Sequence, residues 1–157
     1  MKLKSYYKLI KYEAGCDEAG RGCLAGPVVA AAVILDPDNP ILGLNDSKQL
    51  SDLQRRVLRE EIVHKALAYA ICESSPQEID RINILRASLK AMANCVLKLN
   101  PKPEFILVDG NKTIPIAHIP QLAVVKGDSL YQAIAAASIL AKTSRDDIMA
   151  RLHEEFP

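Results

Sequence analysis

The sequence predicts an α/β fold in which helices cover a mixed five-stranded sheet. Short apolar runs bounded by glycine and proline alternate with longer segments of helical periodicity, and the two kinds of element follow one another in mixed order. The chain has 157 residues, of which 49% are hydrophobic and 25% charged. This length and balance suit a single globular core. We therefore expect one domain over residues 1–157.

Five segments have the character of strands and five that of helices. The predicted strands are residues 13–17, 27–35, 67–72, 105–108 and 121–125. The first two are separated by a glycine-rich segment, which indicates a hairpin. The predicted helices are residues 52–66, 76–81, 84–99, 129–142 and 144–156. Ser51 stands where an N-cap of the first helix is expected.

The composition narrows the class of protein. The net charge of +1 gives no overall attraction to nucleic acid, so any basic patch must be local. The cysteines form no CxxC pair and lie in apolar stretches, which predicts reduced core residues; they are Cys16, Cys23, Cys72 and Cys95. The sequence shows neither a signal peptide nor an apolar span of about 18 residues, so we expect a cytoplasmic protein and, with no feature that demands more, a monomer.

Two adjacent carboxylates, Asp17 and Glu18, follow the first predicted strand and precede a glycine-rich turn. Neighbouring residues on a strand point to opposite faces, so both can share an ion only if the strand bends or ends there. Gly20 and Gly22 permit such a bend and a close approach of backbone to a ligand, and Arg21 offers donors suited to phosphate. The alternative is a hairpin turn with solvated charges.

Two further acids stand at the ends of elements. Asp109 ends the buried strand FILVD and precedes Gly110, and its alternative role is that of a solvated turn residue. Asp128 precedes the alanine-rich helix, where an aspartate is also an ordinary N-cap.

These four acids together offer oxygen ligands for a hard cation, which favours magnesium or manganese over zinc. Such ions serve phosphoryl chemistry, and in a two-metal site about 4 Å across one ion activates the attacking water while the other stabilises the leaving oxygen. No histidine base is then required. The three histidines lie far from the acids in sequence, and we interpret each as structural or exposed; they are His64, His118 and His153.

The sequence resembles a known family, ribonuclease HII. The resemblance rests on GCDEAGRGCLAGPVVAAAVIL, NDSKQLS, FILVDGN and KGDSLYQAIAAASILAKTSRD, in this order and spacing. It extends over nearly the whole chain, from about Gly15 to Pro157. The combination of DEAGRG with AAASILAK is far more specific than a single glycine motif.

The resemblance implies a ribonuclease H-like fold and a metal-dependent endonuclease that cuts the RNA strand of RNA/DNA hybrids, including single ribonucleotides in duplex DNA. It implies that the four metal-binding acids are Asp17, Glu18, Asp109 and Asp128. It also implies that the loop Gly20, Arg21 and Gly22 recognises the ribose 2'-hydroxyl, the group that distinguishes RNA from DNA. Phosphate-binding or scaffold positions are implied at Ser47, Lys48, Lys142, Ser144 and Arg145, for which exposed or packing roles are the alternative.

Members of this family usually continue with a tyrosine that stacks on the sugar and with a C-terminal helical region, whereas this sequence ends at Pro157. We therefore expect the family's C-terminal part to be absent from this chain. Two other functions stay open. One is another nuclease on the same kind of fold, acting on DNA joints or junctions, and the other is an impaired fragment that binds hybrids or metal without cutting.

Overall fold

The computed structural model describes residues 2–8, 10–22, 26–44 and 49–155, and at its centre lies a five-stranded sheet. The strands are β1 (Glu13–Ala19), β2 (Val28–Ile34), β3 (Ala68–Ser74), β4 (Phe105–Asp109) and β5 (Gln121–Val124). They lie in the order β3-β2-β1-β4-β5. The first three strands pair antiparallel, while β1, β4 and β5 run parallel. The predicted mixed sheet and the predicted hairpin of β1 and β2 are confirmed.

Four helices accompany the sheet in the described residues: α1 (Asp52–Lys65), α2 (Pro76–Ile82), α3 (Ile84–Lys98) and α4 (Gln132–Glu155). The predicted cap of α1 is confirmed, because the Ser51 hydroxyl accepts the Gln54 N–H and the Gln54 side chain accepts the Ser51 N–H. None of the helices in this part of the chain combines the length and apolar character needed to cross a bilayer.

The prediction of two helices after Asp128 was wrong, since α4 is one continuous helix of 24 residues. Its start is also later than predicted: residues Gly127–Ser129 form a separate 3-10 turn, with Lys126 before it in a left-handed conformation. No glycine or proline interrupts the following segment. Thr143, at the expected break, donates its hydroxyl to the Ile139 carbonyl oxygen one turn earlier (2.7 Å), a bond that a continuous helix accommodates.

The sheet is buried on both faces by different helices. One apolar cluster joins the sheet to α3, with Ala30 and Ala32 of β2 against Met92 and Val96. The other joins the opposite face to α1 and α4, and its members include Ala31, Val33, Leu58, Ile62, Ala137 and Leu140. Burial on both faces explains why β2 is an uninterrupted apolar run, VVAAAVI, with no exposed residue.

The helix α4 lies unusually close to the sheet at Gly15. A Cβ atom on this residue would stand 2.4 Å from the carbonyl carbon of Ala133 and 2.5 Å from the Ile134 nitrogen. Only glycine permits this approach, which fixes the start of α4 against the middle of β1.

The cysteines that the structure describes carry free thiols, as predicted. Cys16 and Cys95 are buried, whereas Cys72 is half-buried. Cys23 lies outside the described residues.

Candidate metal centre

The parallel pairing of β1 and β4 brings the acidic residues together. Cys16 is paired with Val108, and the next residue on each strand is an aspartate, Asp17 on β1 and Asp109 on β4. Because parallel strands present equivalent ends at the same edge of a sheet, the two aspartates lie at one edge although 92 positions separate them in the chain.

Glu18 completes a group of three carboxylates. One oxygen atom from each of Asp17, Glu18 and Asp109 lies within 4.8 Å of the others. Asp17 and Glu18 begin on opposite faces of the sheet, since they pair with Ala31 and Ala30 respectively. The strand ends directly after them at Ala19, which meets the condition that the sequence set for sharing an ion.

Burial and mutual repulsion shape the electrostatics of this group. Asp17 is 5% exposed, and burial followed by the charges of Asp109 and Glu18 raises its pKa well above the usual carboxyl range. The pKa of Asp109 is also raised, first by burial and then by the charge of Asp128. The pKa of the neighbouring Cys16 thiol is raised as well, first by burial and then by the charges of Asp17, Glu18 and Asp109. Without a bound metal ion, negative charge on Asp17 and Asp109 is therefore costly in this site.

Asp128 lies next to this group without being one of its three members. Its backbone N–H donates to Oδ1 of Asp109 at 3.4 Å, and it belongs to the 3-10 turn rather than to the start of α4. The alternative role of helix N-cap for Asp128 is therefore wrong. The residue stands at the edge of the carboxylate group because the 3-10 turn follows β5, the neighbour of β4.

The glycine-rich loop begins beside the carboxylates. Gly20 has a φ of 99°, a left-handed conformation that turns the chain sharply after β1. Arg21 and Gly22 are exposed, and the Arg21 guanidinium lies 4.0 Å from the Glu18 carboxylate. The loop thus presents the Arg21 guanidinium and solvent-exposed backbone next to the three carboxylates.

Arg145 of α4 supports this loop from below. Its Nε donates to the Pro27 carbonyl oxygen at 3.0 Å, and its side chain fills the space over Gly20, where a Cβ would stand 2.2 Å from Nε. Of the two roles that the sequence left open for Arg145, these contacts favour the scaffold role.

The remaining predicted positions have different surroundings. Ser144 is buried and accepts a hydrogen bond from Arg59 of α1 (2.8 Å), while Lys142 is exposed. Ser47 and Lys48 lie outside the described residues. The three histidines are all exposed, as predicted; they are His64, His118 and His153.

Arg59 joins two helices and was not among the residues predicted from the sequence. Its guanidinium donates to Thr143 (2.6 Å), to Ser144 and to the Leu140 carbonyl oxygen (3.3 Å), and so ties α1 to α4. A charged residue directly after the buried Leu58 on an amphipathic helix was the available signal, but its partners are more than 80 positions away.

The donor set fits a hard divalent cation. All three members of the group offer carboxylate oxygen, the ligand type that such ions prefer, and no sulfur or imidazole ligand joins the group within the described residues. The raised pKa values of Asp17 and Asp109 show that the folded chain holds these acids in a place where negative charge is costly. A bound cation would offset that cost.

Comparison with solved structures defines the class of protein. The ribonuclease H2 of Pyrococcus horikoshii OT3 matches with a TM-score of 0.80 and 30% sequence identity, over 93% of this chain and 77% of that one. The ribonuclease HII of Archaeoglobus fulgidus, solved in complex with PCNA, matches with a TM-score of 0.79 and 35% identity, over 93% of this chain and 78% of that one. The fold is therefore that of the ribonucleases H.

Sequence comparison gives the family. The family model for ribonuclease HII matches residues 14–157. The ribonuclease HII of Bacteroides thetaiotaomicron is 60% identical over 145 residues, which are 92% of this chain and 72% of that protein. The chain belongs to the ribonuclease HII family and is a metal-dependent ribonuclease, a hydrolase of phosphodiester bonds.

Proposed function

We propose that this chain hydrolyses the RNA strand of RNA/DNA hybrids, including single ribonucleotides embedded in duplex DNA. The cut falls on the 5' side of a ribonucleotide and leaves a 3'-hydroxyl and a 5'-phosphate. The observation that carries the proposal is the group of three carboxylates at the shared end of β1 and β4, of which Asp17 is buried and Glu18 and Asp109 are half-buried, in a chain of the ribonuclease HII family.

The metal ligands in this proposal are Asp17, Glu18, Asp109 and Asp128, and the metal is Mg²⁺ or Mn²⁺. Oxygen donors alone favour these two ions over zinc. When bound as a pair, such ions activate water for in-line attack and stabilise the leaving oxygen. The protein's own contribution is to hold the acids in position before metal binds: the buried Asp17 is oriented because its Oδ1 accepts the Glu18 N–H at 2.8 Å.

The loop Gly20, Arg21 and Gly22 supplies selectivity for RNA in this proposal. Its exposed backbone stands next to the carboxylates, so a nucleotide whose phosphate reaches the metal site also brings its sugar to the loop. A backbone group that hydrogen-bonds the 2'-hydroxyl loses its partner when the sugar is deoxyribose, and an unpaired polar group costs about 1–3 kcal/mol. Arg145 keeps the loop in position through Pro27.

Further binding residues complete the proposal. Lys142 is exposed on α4 and can approach the phosphate backbone, and Ser47 and Lys48 are proposed as phosphate-binding residues. The metal-dependent nuclease acts in the cytoplasm and as a monomer.

The direct test compares three duplexes that share one sequence: an RNA/DNA hybrid, a DNA duplex with a single ribonucleotide, and an all-DNA duplex. With Mg²⁺, cleavage of the first two and not of the third is expected, with end-labelling to identify the 3'-hydroxyl and 5'-phosphate products. Cleavage of the all-DNA duplex would support a different nuclease on the same fold. Binding of the hybrid without cleavage, measured by fluorescence anisotropy, would support the impaired, hybrid-binding alternative.

The site is tested with Asp109→Asn. This variant should lose cleavage while its circular dichroism spectrum and unfolding transition stay native, because a neutral amide is a weaker ligand of the same size. Asp38→Asn is the matched control, since Asp38 is an exposed acid of the turn after β2. Normal cleavage by the Asp109 variant would show that the site assignment is wrong.

A further inference from the structure

Two cysteines outside the metal centre meet between the sheet and α3. Cys72 of β3 is the cross-strand partner of Ala30 in β2. Cys95 of α3 donates its thiol to the carbonyl oxygen of the same Ala30, with a sulfur-to-oxygen distance of 3.3 Å. Cys95 is buried in the apolar cluster between the sheet and α3, and Cys72 packs against the same cluster. After burial, the neighbouring Cys72 thiol is a further cause of the raised pKa of the Cys95 thiol.

Small side chains make this close approach possible. The strand β2 presents Ala30 and Ala32 to α3, and α3 packs Ala91 into the same buried cluster. A disulfide requires the two Cα atoms to lie within about 4.4–6.8 Å of each other, which a helix and a strand reach only where few large side chains separate them. The contact of the Cys95 sulfur with the Ala30 carbonyl oxygen shows that α3 lies close to the sheet at Cys95.

The two thiols differ in their access to solvent. Cys72 lines a surface cavity of about 540 Å³, together with Glu73, Asn94 and Lys98. Cys95 is 0% exposed and lies behind it. A small polar reagent that enters the cavity therefore meets Cys72 and not Cys95, which does not line the cavity.

We propose that Cys72 and Cys95 form a redox-active thiol pair that a peroxide converts into a disulfide. The Cys72 thiolate attacks one peroxide oxygen, the O–O bond breaks, and the departing hydroxide takes a proton to become water. The resulting sulfenic acid on Cys72 reacts with the Cys95 thiol, which forms the S–S bond and releases a second water. Two thiols and one hydrogen peroxide thus give one disulfide and two waters, and a dithiol reductant reverses the change.

The order of the two steps follows from the surroundings of each sulfur. Burial, the largest cause, raises the pKa of Cys95, so its sulfur stays protonated and is a poor first nucleophile. The Ala30 carbonyl oxygen of β2 accepts from Cys95. The polar and charged residues that line the cavity beside Cys72 are Glu73 of β3 and Asn94 and Lys98 of α3. Cys95 is therefore the residue that resolves the sulfenic acid and not the one that meets the oxidant.

The experiment treats the reduced chain with hydrogen peroxide, quenches it with an alkylating agent and maps the peptides by mass spectrometry. Cys23 is replaced by serine in all proteins compared, so that the fourth thiol takes no part. We expect a peptide that links Cys72 to Cys95, a loss of two hydrogens from the intact mass, and full reversal by dithiothreitol. Cys16 serves as the internal control, because it is buried and should be alkylated only after unfolding.

A variant separates a redox pair from a single reactive thiol. In Cys95→Ala, peroxide should leave a sulfenic acid on Cys72 that dimedone traps, whereas in the protein with both thiols this adduct should be at least tenfold less abundant. The proposal is overturned if Cys72 is oxidised to sulfinic acid with Cys95 still reduced, or if no linked peptide forms once half of Cys72 has reacted. The mapping of the protein with both thiols gives this answer whether or not the variant folds.

Discussion

The replacement Asp17→Asn should stabilise the metal-free protein and at the same time abolish cleavage. Asparagine has the size of aspartate, and its carbonyl oxygen can still accept the Glu18 N–H that Asp17 accepts at 2.8 Å. The change therefore removes one buried negative charge and little else. Asp38→Asn, which removes the same charge from an exposed turn, is the control for the effect of net charge.

The structure gives the size of the effect. Two unit charges 4.8 Å apart, the outer limit of the carboxylate group, repel each other by about 3.5 kcal/mol at an effective dielectric constant of about 20. Protonation relieves part of this repulsion in the metal-free protein, as the raised pKa of Asp17 shows. We therefore expect the variant to gain about 2 kcal/mol in the free energy of unfolding near pH 8.

The assay is urea unfolding in the presence of EDTA, repeated with saturating Mg²⁺. Without metal, Asp17→Asn should unfold at a higher urea concentration than the unsubstituted chain. With Mg²⁺ the difference should shrink or reverse, because the ion stabilises only the fold that binds it. If the variant and the Asp38→Asn control unfold alike in EDTA, the three carboxylates do not repel one another in a shared site, and the reasoning is refuted.

Three further results are expected from the same structure. The pKa of Asp17 is raised in the folded protein, so as the pH increases the unfolded chain releases this proton first. The metal-free protein should therefore lose stability from about pH 4 upward, until Asp17 ionises in the folded protein too. Urea unfolding midpoints measured across that range should show the loss. Gly15→Ala should lower the free energy of unfolding by about 3 kcal/mol, because the new Cβ would lie 2.4 Å from the backbone of α4. Gly22→Ala is the control: no atom lies within 4 Å of its Cβ, so the thermal midpoint should stay nearly unchanged. Arg59→Met should lower the free energy of unfolding in urea by about 2 kcal/mol, since the buried acceptors Thr143 and Ser144 lose a charged donor. Arg56→Met is the control and should lower it by less than about 1 kcal/mol, because the ion pair of Arg56 with Asp147 is largely exposed. Equal losses in the two variants would contradict the role of Arg59 in joining α1 to α4.

The sequence predicted the elements well where local signals were strong. The cap at Ser51, the apolar run of β2 and the short strand before Asp109 each carry their own boundary signals, and all are present. The prediction was wrong in α4, because the segment around Thr143 contains no residue that ends a helix, and the expected interruption had no physical cause.

The candidate site was predicted as a set of residue types but not as a geometry. The residues Asp17, Glu18 and Asp109 could be selected because each stands near the end of a predicted strand, within three residues of a glycine. Their distances could not be obtained in this way, since they depend on the parallel pairing of β1 with β4, which joins residues far apart in the chain. The same limit explains why Arg59 was missed: its hydrogen-bond partners all lie on a helix more than 80 positions later.

The sequence by itself determined the strands, most of the helices, the identity of the acidic residues and the family resemblance, because each of these depends on neighbouring residues or on short motifs. Only the tertiary structure decided the convergence of the acids, the rise in their pKa, the support of the glycine loop by Arg145 and the meeting of Cys72 with Cys95. The physical reason is that local propensity acts over a few residues, whereas Coulomb repulsion, burial and thiol contact depend on distances through space.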